Sequence, residues 1–178
     1  MKPSADRPLR PLLCGGDRRS VAQSERARAI VQADPARVTE LARLAEDDDW
    51  LVSSRAMDLL EKLAHDHPEW VQPHKKLFIG PLAASDKWEI RLQIVRALPL
   101  LKWTPRERAR AVAILRENID HPQKFVRAWA LDSLAQLAAT DRALLPLVNR
   151  TIDEFERSGS KALAVRARNI RARLANQS

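Results

Sequence analysis

The chain of 178 residues has a single cysteine, Cys14, no tyrosine, three phenylalanines and only four glycines. Each scarcity excludes something. One thiol makes no internal disulfide, so a small secreted scaffold held by cross-links is out. Four glycines against 11 prolines disfavour a sheet built on tight, positive-φ turns. The Ala-, Leu- and Arg-rich remainder favours helices punctuated by proline. No apolar run approaches the ~18 residues that span a bilayer. The opening stretch, MKPSADRPLRPLLCGG, carries Asp6, Arg7 and Arg10 among three prolines. That interrupts any apolar signal region and leads us to expect a cytoplasmic chain with a flexible tail over residues 1–19.

Charge is plentiful. Lys and Arg number 31 against 23 Asp and Glu, a net +8, and 45% of residues are hydrophobic. This is globular composition, with enough apolar residues to build a core.

One apolar pattern recurs along the chain. Val52, Ala56, Leu59, Leu60 and Leu63 follow the spacing of one helix face. A shift of 38 places Ile90, Ile94, Ala97, Leu98 and Leu101 in the same slots, and a further 36 places Val126, Ala130, Ser133, Leu134 and Leu137 there. A last shift of 37 gives Leu163, Ala167, Ile170, Arg171 and Leu174. Between these first helices lie second ones. Thr104-Pro105-Arg106-Glu107 reads as a capped start with a capping box, followed by Val112, Leu115 and Ile119 on one face. Asp141 opens another, with Leu145, Val148, Ile152 and Phe155 inward and Ser158-Gly159 ending it. An earlier second helix is expected over 73–84, with Phe78 and Leu82 inward and Gly80-Pro81 kinking it. Asp34-Pro35 opens a short helix with Val38, Leu41 and Ala45. Ser20 and Gln23 are the candidate caps of a first one ending near Ala33.

Helix pairs at this spacing predict an all-α fold, a right-handed α-solenoid of about four antiparallel pairs plus a C-terminal capping helix. The expected repeats are 20–46, 49–84, 86–119 and 122–158, with a terminal helix over 160–176, all in one domain over 20–178. The first helices carry an apolar-Arg step, Ile90-Arg91, Val126-Arg127-Ala128 and Val165-Arg166-Ala167, with Val52-Ser53 departing from it. In this the chain resembles the HEAT-repeat family of armadillo-type proteins over residues 20–176. Phe125 to Ala138 is most similar to small bacterial HEAT-repeat proteins of unassigned function. The Val165-Arg166 step sets the last repeat 39 residues after Val126, whereas the apolar slots set it at 37. Both registers stay open.

Charge divides unevenly. Residues 1–43 hold nine basic and five acidic residues, 44–120 hold 12 and 13, and 121–178 hold ten and five. Second helices line the concave side of HEAT-like stacks, so the resemblance implies a partner-binding stripe of Arg37, Lys76, Arg106, Arg110, Arg142 and Arg150. Acids such as Glu40, Glu117 and Asp153 interleave it. Further anion-binding candidates are Arg18 and Arg19, beside Gly15-Gly16, and Arg166, Arg168, Arg171 and Arg173 near the C-terminus.

Other chemistry is thinly represented. His65-Asp66-His67 with His74 offers no fourth ligand at metal spacing. Glu46 to Asp49 read as helix-capping carboxylates. The Gly-rich stretch lacks the Lys-Ser/Thr ending of a P-loop, and nothing pairs a nucleophile with a base. Five tryptophans, Trp50 and Trp88 in equivalent slots, read as packing between repeats. The expectation is therefore a non-enzymatic scaffold without cofactor or metal, holding a macromolecular partner, a protein in the first place, on the concave surface. A nucleic-acid-binding solenoid is the alternative. Some DNA alkylation-repair glycosylases are also built from HEAT-like repeats and use Trp, Asp and Arg, which would cast Trp88 with Asp86, or Trp129 with Asp132, in those roles.

Overall fold

A computed structural model describes residues 7–176, and their regular structure is all helical, with no strand among them. The domain expected over 20–178 falls into two compact units, unit 1 ending at Leu101 and unit 2 beginning at Lys102. No helix among the described residues is long and apolar enough to cross a membrane.

Unit 1 contains α1 (Arg10–Leu13), α2 (Ser24–Ala33), α3 (Val38–Leu44), α4 (Trp50–Asp66), α5 (Pro68–Val71) and α6 (Trp88–Ala97). Its core is the α4 stripe of Val52, Ala56, Leu59, Leu60 and Leu63, all solvent-free, against Ile90, Ile94 and Leu98. Each such Leu, Ile or Val contributes roughly 1.5–3 kcal/mol by leaving water. Asp49 starts α4 by accepting from the Leu51 N–H at 2.9 Å. Where one helix was expected over 73–84, 3₁₀ turns run Gln72–Ile79 and Pro81–Ala84. Proline at Pro73 and Pro81 and the extended Gly80 deny the chain a continuous α ladder. Phe78 is nevertheless fully buried.

The expected tail over 1–19 is corrected from residue 7 onward; residues 1–6 lie outside the described ones. Leu9, Leu12 and Leu13 are buried in the core. The Leu9 N–H donates to Glu40 at 2.7 Å, Arg10 makes a forked pair with Asp47 at 2.7 and 2.9 Å, and Arg37 donates to the Arg7 carbonyl at 2.8 Å. The loop that follows closes around Arg55, an α4 side chain only 7% exposed. Its guanidinium donates to the carbonyls of Leu13, Gly15, Asp17 and Ser20 at 2.5 to 3.1 Å. Ser20 and Gln23 do not cap α2. The Ser20 hydroxyl accepts from Ala22, and the Gln23 side chain makes no cap bond.

Unit 2 contains α7 (Pro105–Ile119), α8 (Lys124–Ala138), α9 (Leu145–Arg157) and α10 (Lys161–Ala175). Here α7 packs on α8, and α10 packs on both α8 and α9. Thr104 and Glu107 form the reciprocal capping box. The α7 stripe is rotated slightly from the expected one: Ala111, Ile114, Leu115 and Ile119 are buried, and Val112 is half-buried. Gly159, at φ +73°, ends α9 in the left-handed conformation that glycine tolerates best.

The recurrent step has a physical cause. The residue after each inward Val52, Ile90 or Val126 donates to a carbonyl at the end of the preceding helical element: Ser53 Oγ to Ala45 at 2.6 Å, Arg91 Nε to Ser85 at 2.7 Å, and Arg127 Nε to Ile119 at 2.8 Å. Helix ends leave such carbonyls without intrahelical partners. Serine does in α4 what arginine does in α6 and α8. In α10, Leu163, Ala167 and Ile170 are buried while Val165 is 47% exposed. The structure therefore takes the spacing of 37. Arg166 serves no carbonyl step; it pairs with Asp132 instead.

Candidate functional site

Nearly all the net charge belongs to unit 2, which holds 15 basic and eight acidic residues against 16 and 15 in unit 1. A groove of about 780 Å³ lies between the C-terminal end of α7 and the first turns of α9. Ile119, Ala143, Pro146 and Leu147 supply apolar lining. Arg116 with Asp120 and Arg150 with Glu154 add one cation and one carboxylate from each side of the groove. Arg150 stands 3.9 Å from Glu154, and both are exposed. Thr151 is buried and donates to the Leu147 carbonyl at 2.9 Å, which fixes the α9 wall.

The predicted cations scatter over the two units. Of the expected stripe, Arg150 lines this groove; Arg106, Arg110 and Arg142 are exposed but outside it. Arg37 and Lys76 belong to unit 1. Arg37 pairs with Glu40, its Nε at 2.8 Å. Lys76 borders a recess of about 390 Å³ with Arg43 and His74. His74 Nε2 lies 3.3 Å from the Thr39 hydroxyl, and burial, aided by Arg43, lowers its pKa below the ordinary histidine value.

The anion-binding candidates are largely committed to carboxylates of this chain. Arg18 pairs with Glu89 at 2.6 Å and lies over the Trp88 ring, while Arg19 is exposed. The N–H groups of Arg19 and Ser20, which a bound anion would need, go to the Asp17 carboxylate at 2.8 and 3.2 Å. Arg171 bonds Asp153 at 2.6 Å and Glu156, which raises its pKa further. Arg173 and Arg166 converge on Asp132 at 2.6 and 3.5 Å, with Arg166 over the Trp129 ring at 4.3 Å. Arg168 is exposed.

Trp129, Asp132 and Arg166 thus stand together on the first helices of unit 2, but Asp132 is 4% exposed and already held by two arginines. Trp88 lies over Arg18, and Asp86 is exposed beside Lys87, whose ammonium keeps its carboxyl below the usual range. Of the histidines, His67 stacks on Trp70 at 3.8 Å and His65 lies 3.5 Å from Glu61. Sequence reasoning missed Arg116, Asp120 and Leu147. Leu147 directly precedes the inward Val148, the one available signal that α9 carries apolar surface beyond its core stripe. No family model matches this chain, and no curated protein does.

Proposed function

We propose that the protein is a non-enzymatic scaffold, a right-handed HEAT-like solenoid of about four helix pairs, that holds a segment of a partner protein on its second-helix face. The α7–α9 groove is the seat of that segment. The observation that carries this reading is the groove's composition. A lining in which Ile119, Ala143, Pro146 and Leu147 stand among Arg116, Asp120, Arg150 and Glu154, cations and carboxylates in equal number, is the make-up of a mostly polar, wet protein–protein contact. A polyanion would meet Asp120 and Glu154 as repulsion at each end of its track. The +7 of unit 2 favours a nucleic acid as the second reading, although Arg166, Arg171 and Arg173 are paired with acids of this chain.

The test is affinity capture from the native cell with nuclease present, comparing wild type with Leu147→Ser/Arg150→Ala. A nuclease-resistant protein that is lost in the variant supports the scaffold. Direct binding of duplex DNA overturns it if log affinity falls steeply with log salt, by about 0.9 per neutralised phosphate, and if binding vanishes when Arg106, Arg110, Arg142 and Arg150 are replaced together.

A further inference from the structure

Unit 2 carries a second face, on its first helices, that the groove does not use. Phe125 on α8 is 52% exposed and Val165 on α10 is 47% exposed, two large apolar side chains standing in water. They are linked across the helices. Phe125 and Trp129 are four residues apart on one flank of α8, the Arg166 guanidinium covers the Trp129 ring at 4.3 Å, and Val165 is the neighbour of Arg166. Beside Val165 lies a recess of about 500 Å³ lined also by Lys161 and Asn169.

The charges that border the Phe125 ring and the Val165 recess are positive. Lys124 reaches over the Phe125 ring at 5.7 Å, and Lys161 and Arg166 border the recess. The nearby Asp132 is buried beneath its arginines, and no acid follows Glu156 in the chain. Lys124 and Lys161 are also the first residues of α8 and α10, and neither helix has an acid in its first turn. A helix start favours negative charge. The equivalent slots in α4 and α6 hold Trp50 and Trp88. The first turns of α4 and α9 also lack an acid, but among the long helices α8 and α10 begin on a lysine, at the same repeat position and next to exposed apolar surface, which is where a binding role shows itself.

We infer that this face docks an acidic, apolar segment of a partner protein. Its carboxylates meet Lys124, Lys161 and the two positive helix starts, and an aliphatic or aromatic side chain covers Phe125 and Val165. Trp and Arg are the residue types enriched at interface hot spots, and Trp129 and Arg166 are the residues that join Phe125 to Val165. Single-stranded nucleic acid fits less well, because base stacking uses open aromatic faces, whereas Arg166 lies over Trp129 and Val165 has no π-face.

The experiment is selection of random peptides about 12 residues long on the full chain, with the enriched peptides titrated against surface variants. Phe125→Ser/Val165→Ser and Lys124→Glu/Lys161→Glu change exposed groups and leave the thermal melt as in wild type. Enriched peptides rich in Asp and Glu around a Leu, Phe or Trp, weakened at least about tenfold by both variants and unaffected by Leu147→Ser/Arg150→Ala, establish the site. Their loss in the groove variant alone moves acidic-segment binding to the α7–α9 groove and overturns this proposal while leaving the scaffold reading standing. The proposal also fails if the enriched peptides lack acids, if both face variants bind them like wild type, or if an oligothymidylate rather than any peptide binds and is lost in Lys124→Glu/Lys161→Glu.

Discussion

Arg173 and Asp132 lie 41 residues apart in sequence and 2.6 Å apart in space. The pair ties the last turns of α10 to the middle of α8, and Arg166 approaches the same carboxylate from the preceding turns of α10 at 3.5 Å. Asp132 is nearly out of water, and these two cations take the place of solvent at its carboxylate. Arg173→Ala leaves it with the longer contact alone. We expect a loss of about 1–2 kcal/mol by urea unfolding, less than the ~3–5 kcal/mol of a fully buried broken pair because Arg173 is itself 40% exposed. Asp132→Ala/Arg173→Ala together should cost less than the two single losses summed.

The Arg55 guanidinium serves four backbone carbonyls at once. Arg55→Lys supplies a single ammonium where a planar fork spans several acceptors, so it should fail nearly as badly as Arg55→Met. Either variant is expected to lose about 3 kcal/mol, several hydrogen bonds to a charged group being broken together, and to become cleavable by protease between Cys14 and Ser20. A urea midpoint and a digestion pattern unchanged from wild type would contradict the clamp.

Glu61 gives a pH dependence of definite sign. It is fully buried on α4, with Arg96 Nη2 at 3.0 Å and His65 at 3.5 Å. Burial outweighs the opposing pull of Arg96 and lifts its pKa above the ordinary 4.5. The folded state therefore binds the proton more tightly than the unfolded state does. That contribution is fully present below pH 4.5 and is lost as pH rises from there through the folded pKa. Glu61→Gln removes it. The stability of the variant relative to wild type should rise from pH 4 toward neutrality, measured as urea midpoints over that range. A difference that stays flat, or falls, contradicts the assignment.

Leu134→Ala tests the core of unit 2. The side chain is solvent-free, and the expected loss is about 2–5 kcal/mol from transfer and cavity together. Ile94→Asp in unit 1 should prevent folding outright by burying an unpaired charge. Thermal melts near wild type for both would mean that the inward face is wrongly assigned.

What the sequence showed depended on how far apart the partners stand. The Thr104–Glu107 capping box was legible because both members sit within one turn. The stripes through Val52, Ile90 and Val126 were legible because burial repeats with the helix. Residues 72–84 carry apolar side chains at helical intervals, but proline denies the backbone its ladder, and 3₁₀ turns result. Arg55 was invisible because its partners are carbonyls, which every residue has. Arg166 follows a valine and so imitates the carbonyl-binding step, yet its real partner, Asp132, lies a whole repeat away. The groove escaped notice for the same reason: Arg116 and Leu147 meet only once α7 and α9 are in place.

The Arg55 clamp also sets an order of events during synthesis. The loop from Leu13 to Ser20 leaves the ribosome first, but its acceptors have nothing to hold until a side chain 35 to 42 residues downstream has emerged. At about 5–20 residues per second, the nascent chain spends some seconds with Leu9, Leu12 and Leu13 made and their binding surface unmade. The segment from Leu9 to Ser20 is thus the part of unit 1 that must wait, exposed to chaperones and proteases, for α4 to arrive.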